Sequence, residues 1–477
     1  TGKRSSTPWV ARGKDNLKRF IEAGVLNTTN IAVASSTEKA DLRFSVGNTY
    51  NKGIIPNTGL NTTNINLAST LRFNSKLTLD ANINYNKQFS DNFPDVDYGP
   101  NSVIYNITIW GGADWNIDDM RNHWQPGKEG VQSIYAEYQR YHNPYFMSYE
   151  WTRGHYKNDI YAYTSLKYKV NPFVDLFART SVTTYDVLRN EKMPFSAHPY
   201  GREENKGDYR EDRRSLFESN SEVRADFKTP VVANFFKASG FAGANFRTFN
   251  YNSSFTTTNY LNVPNVYTFA NSRNPVIAYN FASDMRVNSL LYSVDLEGGK
   301  YFNLNVTGRT DKLSALKKDN NTFFYPSLNL STVLNDYVSL PSQINFLKLR
   351  ASYGTVGNDA LDTYFEYQAL YSLGYNNAGE PGAIASKLTN PKLTWEVNKT
   401  ANIGLEFGFL NRISGTLEYF DRGSSDLLFD VPLGLSSIIT TITQNIGSMS
   451  NRGVEAQLNV DVVKKRDFVW DVQLNIT

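Results

Sequence analysis

The chain has 477 residues and a formal net charge of only +3, so it carries no basic field of the kind nucleic-acid binding needs. Cysteine is absent, which excludes disulfides, zinc–thiolate sites and cysteine nucleophiles. Mean hydropathy is −0.46, no apolar run approaches the ~20 residues of a membrane helix, and the four histidines (His123, His142, His155, His198) have no metalloprotease spacing.

In chain order, residues 15–23 predict a short helix, with Leu17, Phe20 and Ile21 on one face and Gly24 as its stop. From Asn27 onward a two-residue period dominates. It predicts strands over 27–35, 40–50, 62–73, 76–88, 158–170, 173–186, 217–228, 237–250, 284–297, 301–310, 322–334, 345–355, 398–409, 412–422, 450–463 and 468–477. In the clearest of them Leu77, Leu79, Ala81, Ile83 and Tyr85 oppose Thr78, Asp80, Asn82, Asn84 and Asn86. Ala401, Ile403, Leu405, Phe407 and Phe409 oppose Asn402, Gly404, Glu406 and Gly408. Val454, Ala456, Leu458, Val460 and Val462 oppose Glu455, Gln457, Asn459 and Asp461. Side chains alternate across a strand, so each strand has one apolar and one polar face.

Connections alternate in length. Short turns fall at 74–75, 171–172, 298–300, 411–412 and 464–467. Long segments fall at 87–157, 187–216, 251–283, 356–397 and 423–449. An antiparallel meander places alternate connections at opposite ends, so one rim is trimmed and the other carries large loops. Two architectures put an apolar face on every strand: a membrane barrel with lipid outside, and soluble β-domains packed face to face, as in an adhesin array. Strands of ten or more residues, polar rows rich in Asn, Asp and Glu, and the lack of interdomain linkers favour the barrel. Tyr85, Tyr168, Phe409, Tyr419 and Trp470 fit an interfacial girdle. The expected fold is an all-β, antiparallel transmembrane β-barrel, with residues 1–26 as an N-terminal segment and 27–477 as a partial barrel. The start at Thr1 without Met, and the stop at Thr477 inside an alternating strand, read as a piece of a longer protein.

Several segments then carry a family resemblance. They are Asp15-Asn16-Leu17 through Gly24, Asn51-Lys52-Gly53-Ile54-Ile55-Pro56-Asn57, Asn143-Pro144-Tyr145-Phe146, the run 347–358, the run 390–410 and the run 445–455. In this order they resemble the barrel of a SusC/RagA-type TonB-dependent outer-membrane transporter of Bacteroidetes. The resemblance implies a 22-stranded barrel, of which about sixteen strands are present here. It also implies an N-terminal plug that contacts TonB and a SusD-like surface lipoprotein as a lid. The plug and the last strands have no counterpart in this sequence.

The segment 87–157 is rich in aromatics: Trp110, Trp115, Trp124, Tyr135, Tyr138, Tyr141 and Tyr145, near Asp114, Asp118, Asp119, Arg121 and Glu137. Two readings stay open. The rings stack on sugar, or they form the small core that so long a loop needs. Tyr364, Phe365, Tyr367, Tyr371 and Tyr375 pose the same choice. The candidate ligand-binding residues are Trp110, Trp115, Trp124, Tyr371 and Tyr375. Asp95-Val96-Asp97 and Asp118-Asp119 are read as solvated loop acids rather than a calcium site, so no metal and no cofactor is expected. Gly354, Gly357, Gly447 and Gly453 read as bends at the barrel rim, against a contact with the plug or lid. The expected function is TonB-dependent import of oligomeric nutrients, glycans first and peptides second, with no covalent chemistry. The polar row Asp80, Asn82, Asn84, Glu406, Glu455 and Asn459 would keep the lumen wet.

Overall fold

The computed structural model describes residues 8, 10–95, 98–99, 101–134, 141–197, 204–232, 235–358, 387–434, 436 and 439–477, and the backbone of two short strands, Tyr371–Asn377 and Glu380–Ala385. Sixteen strands form one antiparallel sheet in strict chain order. They are β1 Val25–Ser36, β2 Ala40–Lys52, β3 Gly59–Arg72, β4 Leu77–Ser90, β5 Thr152–Asn171, β6 Val174–Met193, β7 Asp208–Lys228 and β8 Phe236–Leu261. There follow β9 Ser272–Gly298, β10 Phe302–Leu313, β11 Thr322–Val333, β12 Ile344–Asn358, β13 Glu396–Phe409, β14 Ile413–Pro432, β15 Thr441–Lys465 and β16 Phe468–Ile476. The sheet is open: β1 and β16 are its two edges.

All sixteen expected strands exist, and the register explains why the period was visible. Leu349 pairs with Leu405, and Leu405 with Leu417; Ala351 pairs with Ile403, and Ile403 with Tyr419. Tyr419 then meets Val454, and Leu458 meets Leu474. These rows are exposed (Ile403 is 65% accessible), so the apolar side chains face outward in a continuous belt. The belt runs from Leu77 to Tyr85 on β4, and from Ala401 to Phe409 on β13. Nine residues at ~3.4 Å each, tilted ~40°, span roughly 20 Å, close to the ~25 Å apolar band of an outer-membrane barrel. Tyr168, Phe409 and Trp470 lie outward near the short-turn rim, and Tyr85 and Tyr419 outward near the other. The β13–β14 turn has three residues, 410–412, of which Leu410 and Asn411 are both at φ 54°, the left-handed conformation a tight hairpin uses.

Three expectations need correction. Most of 187–216, 251–283 and 423–449 is strand rather than loop, since β8 has 26 residues and β9 has 27. At ~3.4 Å per residue β9 is about 90 Å long, far beyond the bilayer. Its outward side chains change from Leu296, Val294, Tyr292 and Leu290 to Asn288, Arg286 and Asp284. Its inward ones change from Asp295 and Ser293 to Val287 and Met285. Past the lipid, polarity inverts between the faces, and the alternation that marked the strand fades. The first helix, α1 (Asn16–Phe20), is shorter than expected, because the Glu22 N–H already donates to the Ile54 carbonyl and the chain turns into β1. Finally, a register shift between Asp461 and Val463 takes Val462 out of the alternation.

Of the glycines in the recognised motifs, Gly447 sits at a register shift opposite Leu427, while Gly354, Gly357 and Gly453 lie within regular pairing. Residues 347–358 continue as strand, as do 445–455. Gly404 leaves room for the Arg350 side chain, whose Nε would lie 2.7 Å from an added Cβ. Gly453 does the same for the Phe420 ring at 2.8 Å.

Both apolar cores lie on the long-loop side. One joins Phe20 of α1, Ile55, and the loop between β4 and β5, with its helices α2 (Val103–Thr108) and α3 (Pro144–Tyr149). Asn143 caps α3, its Oδ1 accepting from the Tyr145 and Phe146 N–H groups at 2.9 and 3.3 Å, and Pro144 fills the first helical position. The other core packs Leu393 and Trp395 against Met285, Val287 and Leu313 inside the strand extensions.

Candidate functional site

The inner wall is built from the polar rows. Asn64 Nδ2 donates to Asn84 Oδ1 at 2.7 Å, Asn66 to Asn82 at 3.3 Å, and Thr70 Oγ1 to Asp80 Oδ1 at 2.6 Å. Many of its charges are paired, most across strands and some along one strand. Glu406 lies 3.3 Å from Lys348 and 3.4 Å from Arg350, and Arg350 also binds Glu418. Arg247 grips Glu218 at 2.8 and 3.1 Å, and Arg224 bridges Glu222 and Asp226. Glu455 lies 4.0 Å from Arg422, and Asn459 sits opposite Ser414 on β14. Such a wall can be wetted along its length.

Above the belt the strand extensions enclose an external vestibule. One rung of its wall crosses six strands: Ser90, His155, Arg189, Asp212, Phe255 and Tyr279. Phe255 and Tyr279 stack at 6.4 Å and 26°, and Tyr251 lies 6.1 Å from Phe281. These aromatics were missed in the sequence because 251–283 reads as loop; the alternation of Tyr251 and Phe255 with Asn252 and Ser254 was the available signal. A cavity of about 660 Å³ opens beside the rung, lined by Phe93, Arg153, His155, Arg189, Glu191 and Phe255 among others.

His155 shows the electrostatics of this wall. Its Nε2 lies 3.1 Å from Gln88 Oε1, and its ring lies against Phe93 at 5.4 Å. Burial, then the nearby Arg189 and Lys157, hold its pKa below the usual 6.5. Protonation therefore favours the unfolded wall. Stability is full above about pH 6.5 and falls as pH drops from there toward the lowered folded pKa. Protection factors of the amides at the outer ends of β4 and β5, with the intrinsic slowing of exchange at lower pH divided out, are expected to fall between pH 7.5 and 5.5, and His155→Gln to remove that dependence; equal protection at both pH values would contradict it.

The structure separates the expected aromatics. Trp110 is half-exposed and stacks on Tyr141 at 4.9 Å and 25°. Trp115 is 7% exposed and belongs to the loop core. Trp124 is half-buried, edge-on to Phe146 at 5.6 Å. Tyr145 packs on Phe20 at 5.1 Å. Asp118 binds Arg19 at 2.6 Å and Arg121 at 3.0 Å, and Asp119 lies 3.6 Å from Arg12, so these acids tie the loop to the N-terminal segment. Val96, Asp97, Tyr135, Glu137, Tyr138, His198, Tyr364, Phe365 and Tyr367 lie outside the described residues, as do the side chains of Tyr371 and Tyr375.

The family model described as "TonB dependent receptor-like, beta-barrel" matches residues 146–477. The chain belongs to this family. A TonB-dependent receptor of Formosa agariphila is 34% identical over 179 residues, 36% of this chain and 18% of that protein. The TonB-dependent receptor SusC of Bacteroides thetaiotaomicron is 35% identical over 182 residues, again 36% of this chain and 18% of SusC. Among solved structures, the RagAB peptide transporter superposes with a TM-score of 0.80 at 18% identity, covering 97% of this chain and 51% of that one. The outer-membrane transporter YddB of Escherichia coli superposes with 0.58 at 10% identity, covering 95% and 54%. The chain thus spans about half the length of these structures, and the sequence matches cover about a fifth of the curated relatives. This TonB-dependent receptor barrel is an outer-membrane wall, in a family of transporters rather than enzymes. Its outward belt and inward polar rows have the sidedness that membership requires.

Proposed function

We propose that this chain forms most of the wall of a TonB-dependent importer of oligomeric nutrients, with glycans as cargo. A SusD-like lipoprotein would close the vestibule from outside, and TonB would act through a plug. The observation that carries the glycan reading is the vestibule wall, where exposed aromatic rings (Tyr279, Phe281) stand beside hydrogen-bonding and charged groups. Sugar rings offer an apolar C–H face and a rim of hydroxyls, which such a wall complements. Passage through the wet inner wall then needs no covalent step. A peptide cargo is the second reading, favoured by the fold shared with RagAB, a peptide transporter.

The test is deletion of the gene in its own host, followed by growth on oligosaccharides or on peptides as sole carbon source. Growth on an oligosaccharide is expected to be lost and to return with the intact gene. Loss confined to peptides would overturn the glycan reading in favour of the second.

A further inference from the structure

Among the described residues around this cavity, charge pairing leaves Arg189 without a carboxylate. Arg153 lies 3.0 Å from Glu191 and 3.8 Å from Asp95, and Arg210 shares Glu191 at 3.3 Å. Asp212, directly opposite Arg189 in the register, is taken by Arg214, with Nε at 3.0 and 3.1 Å from its two oxygens and Nη2 at 2.5 Å. Among the described residues no carboxylate lies within ion-pair reach of Arg189, which is exposed on the cavity wall. His155 beside it is held toward the neutral form, so it adds hydrogen bonding rather than charge. Phe255 lines the same cavity, and the exposed Tyr279 follows it along the rung.

We infer that the vestibule cavity binds an anionic sugar, with the Arg189 guanidinium on the acid group and the Phe255 ring, which lines the same cavity, against the sugar ring. This deepens the glycan reading and rests on it. A guanidinium fork matches the paired oxygens of a carboxylate or a sulfate ester, and a charge-assisted hydrogen bond is about twice as strong as a neutral one. The neighbouring arginines cannot take this role without releasing their own acids. The cavity, at about 660 Å³, lies within the ~300–1,000 Å³ usual for small-ligand sites.

The test is calorimetric titration of the whole transporter, purified in detergent, with three oligosaccharides of equal length: neutral, uronate-bearing and sulfated. At least one anionic oligosaccharide is expected to bind about tenfold or more tightly than the neutral one, with affinity falling as salt is raised. Arg189→Gln is expected to abolish that preference, and Arg189→Lys to keep part of it. Which anionic arm gains identifies the acid group. Equal binding of all three, or a preference untouched by Arg189→Gln, would overturn the inference and leave glycan import standing. Failure of all three to bind would overturn both.

Discussion

Arginine in place of Leu405 is expected to destabilise the barrel by about 2–4 kcal/mol, the depth-dependent cost of a cation facing lipid at the bilayer midplane. Leu405 lies midway along the β13 belt, between Leu349 of β12 and Leu417 of β14, and its row faces outward. The same change at Ala401, four residues toward the outer rim on the same face, is expected to cost ~0–1 kcal/mol, because the side chain there can reach water. Urea unfolding of the whole transporter in lipid bilayers, followed by tryptophan fluorescence, measures both. Equal costs at the two positions would mean that the belt does not face lipid, and the architecture would be wrong.

Loss of Trp151 is expected to open the loop between β4 and β5 while leaving the strands intact. Trp151 is wholly buried where the loop enters β5. Its ring meets His142 edge-on at 5.1 Å, the Arg153 guanidinium lies over it at 4.9 Å, and its Nε1–H donates to Glu191 Oε1 at 2.6 Å. Trp151→Ala should cost about 3–5 kcal/mol, as for other large aromatic truncations in cores. Trp151→Phe should cost less, about 1.5–3 kcal/mol, mainly the hydrogen bond to a charged acceptor. Because Arg153 and Arg210 share Glu191, the alanine variant also loosens the vestibule wall. Limited proteolysis reads the outcome: new cuts between residues 91 and 151, with the strands still resistant. An unchanged digestion pattern would mean that the loop core does not depend on Trp151.

Much of the fold was legible in the sequence where lipid and water meet the two faces of one strand. Rows such as Leu77 to Tyr85 and Ala401 to Phe409 announce themselves, because lipid demands apolar side chains on one side and the wet lumen demands polar ones on the other. The same reasoning failed along 272–283, read as loop. There, as in the adjoining 284–288 where Met285 and Val287 turn inward and Asp284 and Arg286 outward, both sides meet water or protein. The site was legible only in part. The loop tryptophans were visible as a group, but nothing local separates buried Trp115 from half-exposed Trp110. Tyr279 and Phe281 went unnoticed within a segment read as loop.

From its residues alone, then, the chain declares its strands, the sidedness of its turns and the lipid-facing belt, because a side-chain period of two is a local property of the backbone. Only the tertiary structure decides which rows meet. Arg19 finds Asp118 across 99 positions of chain, and Asp212 turns to Arg214 rather than to Arg189. Whether a charge is cancelled or left open to a ligand depends on interstrand register and side-chain conformation, and neither is local in the chain.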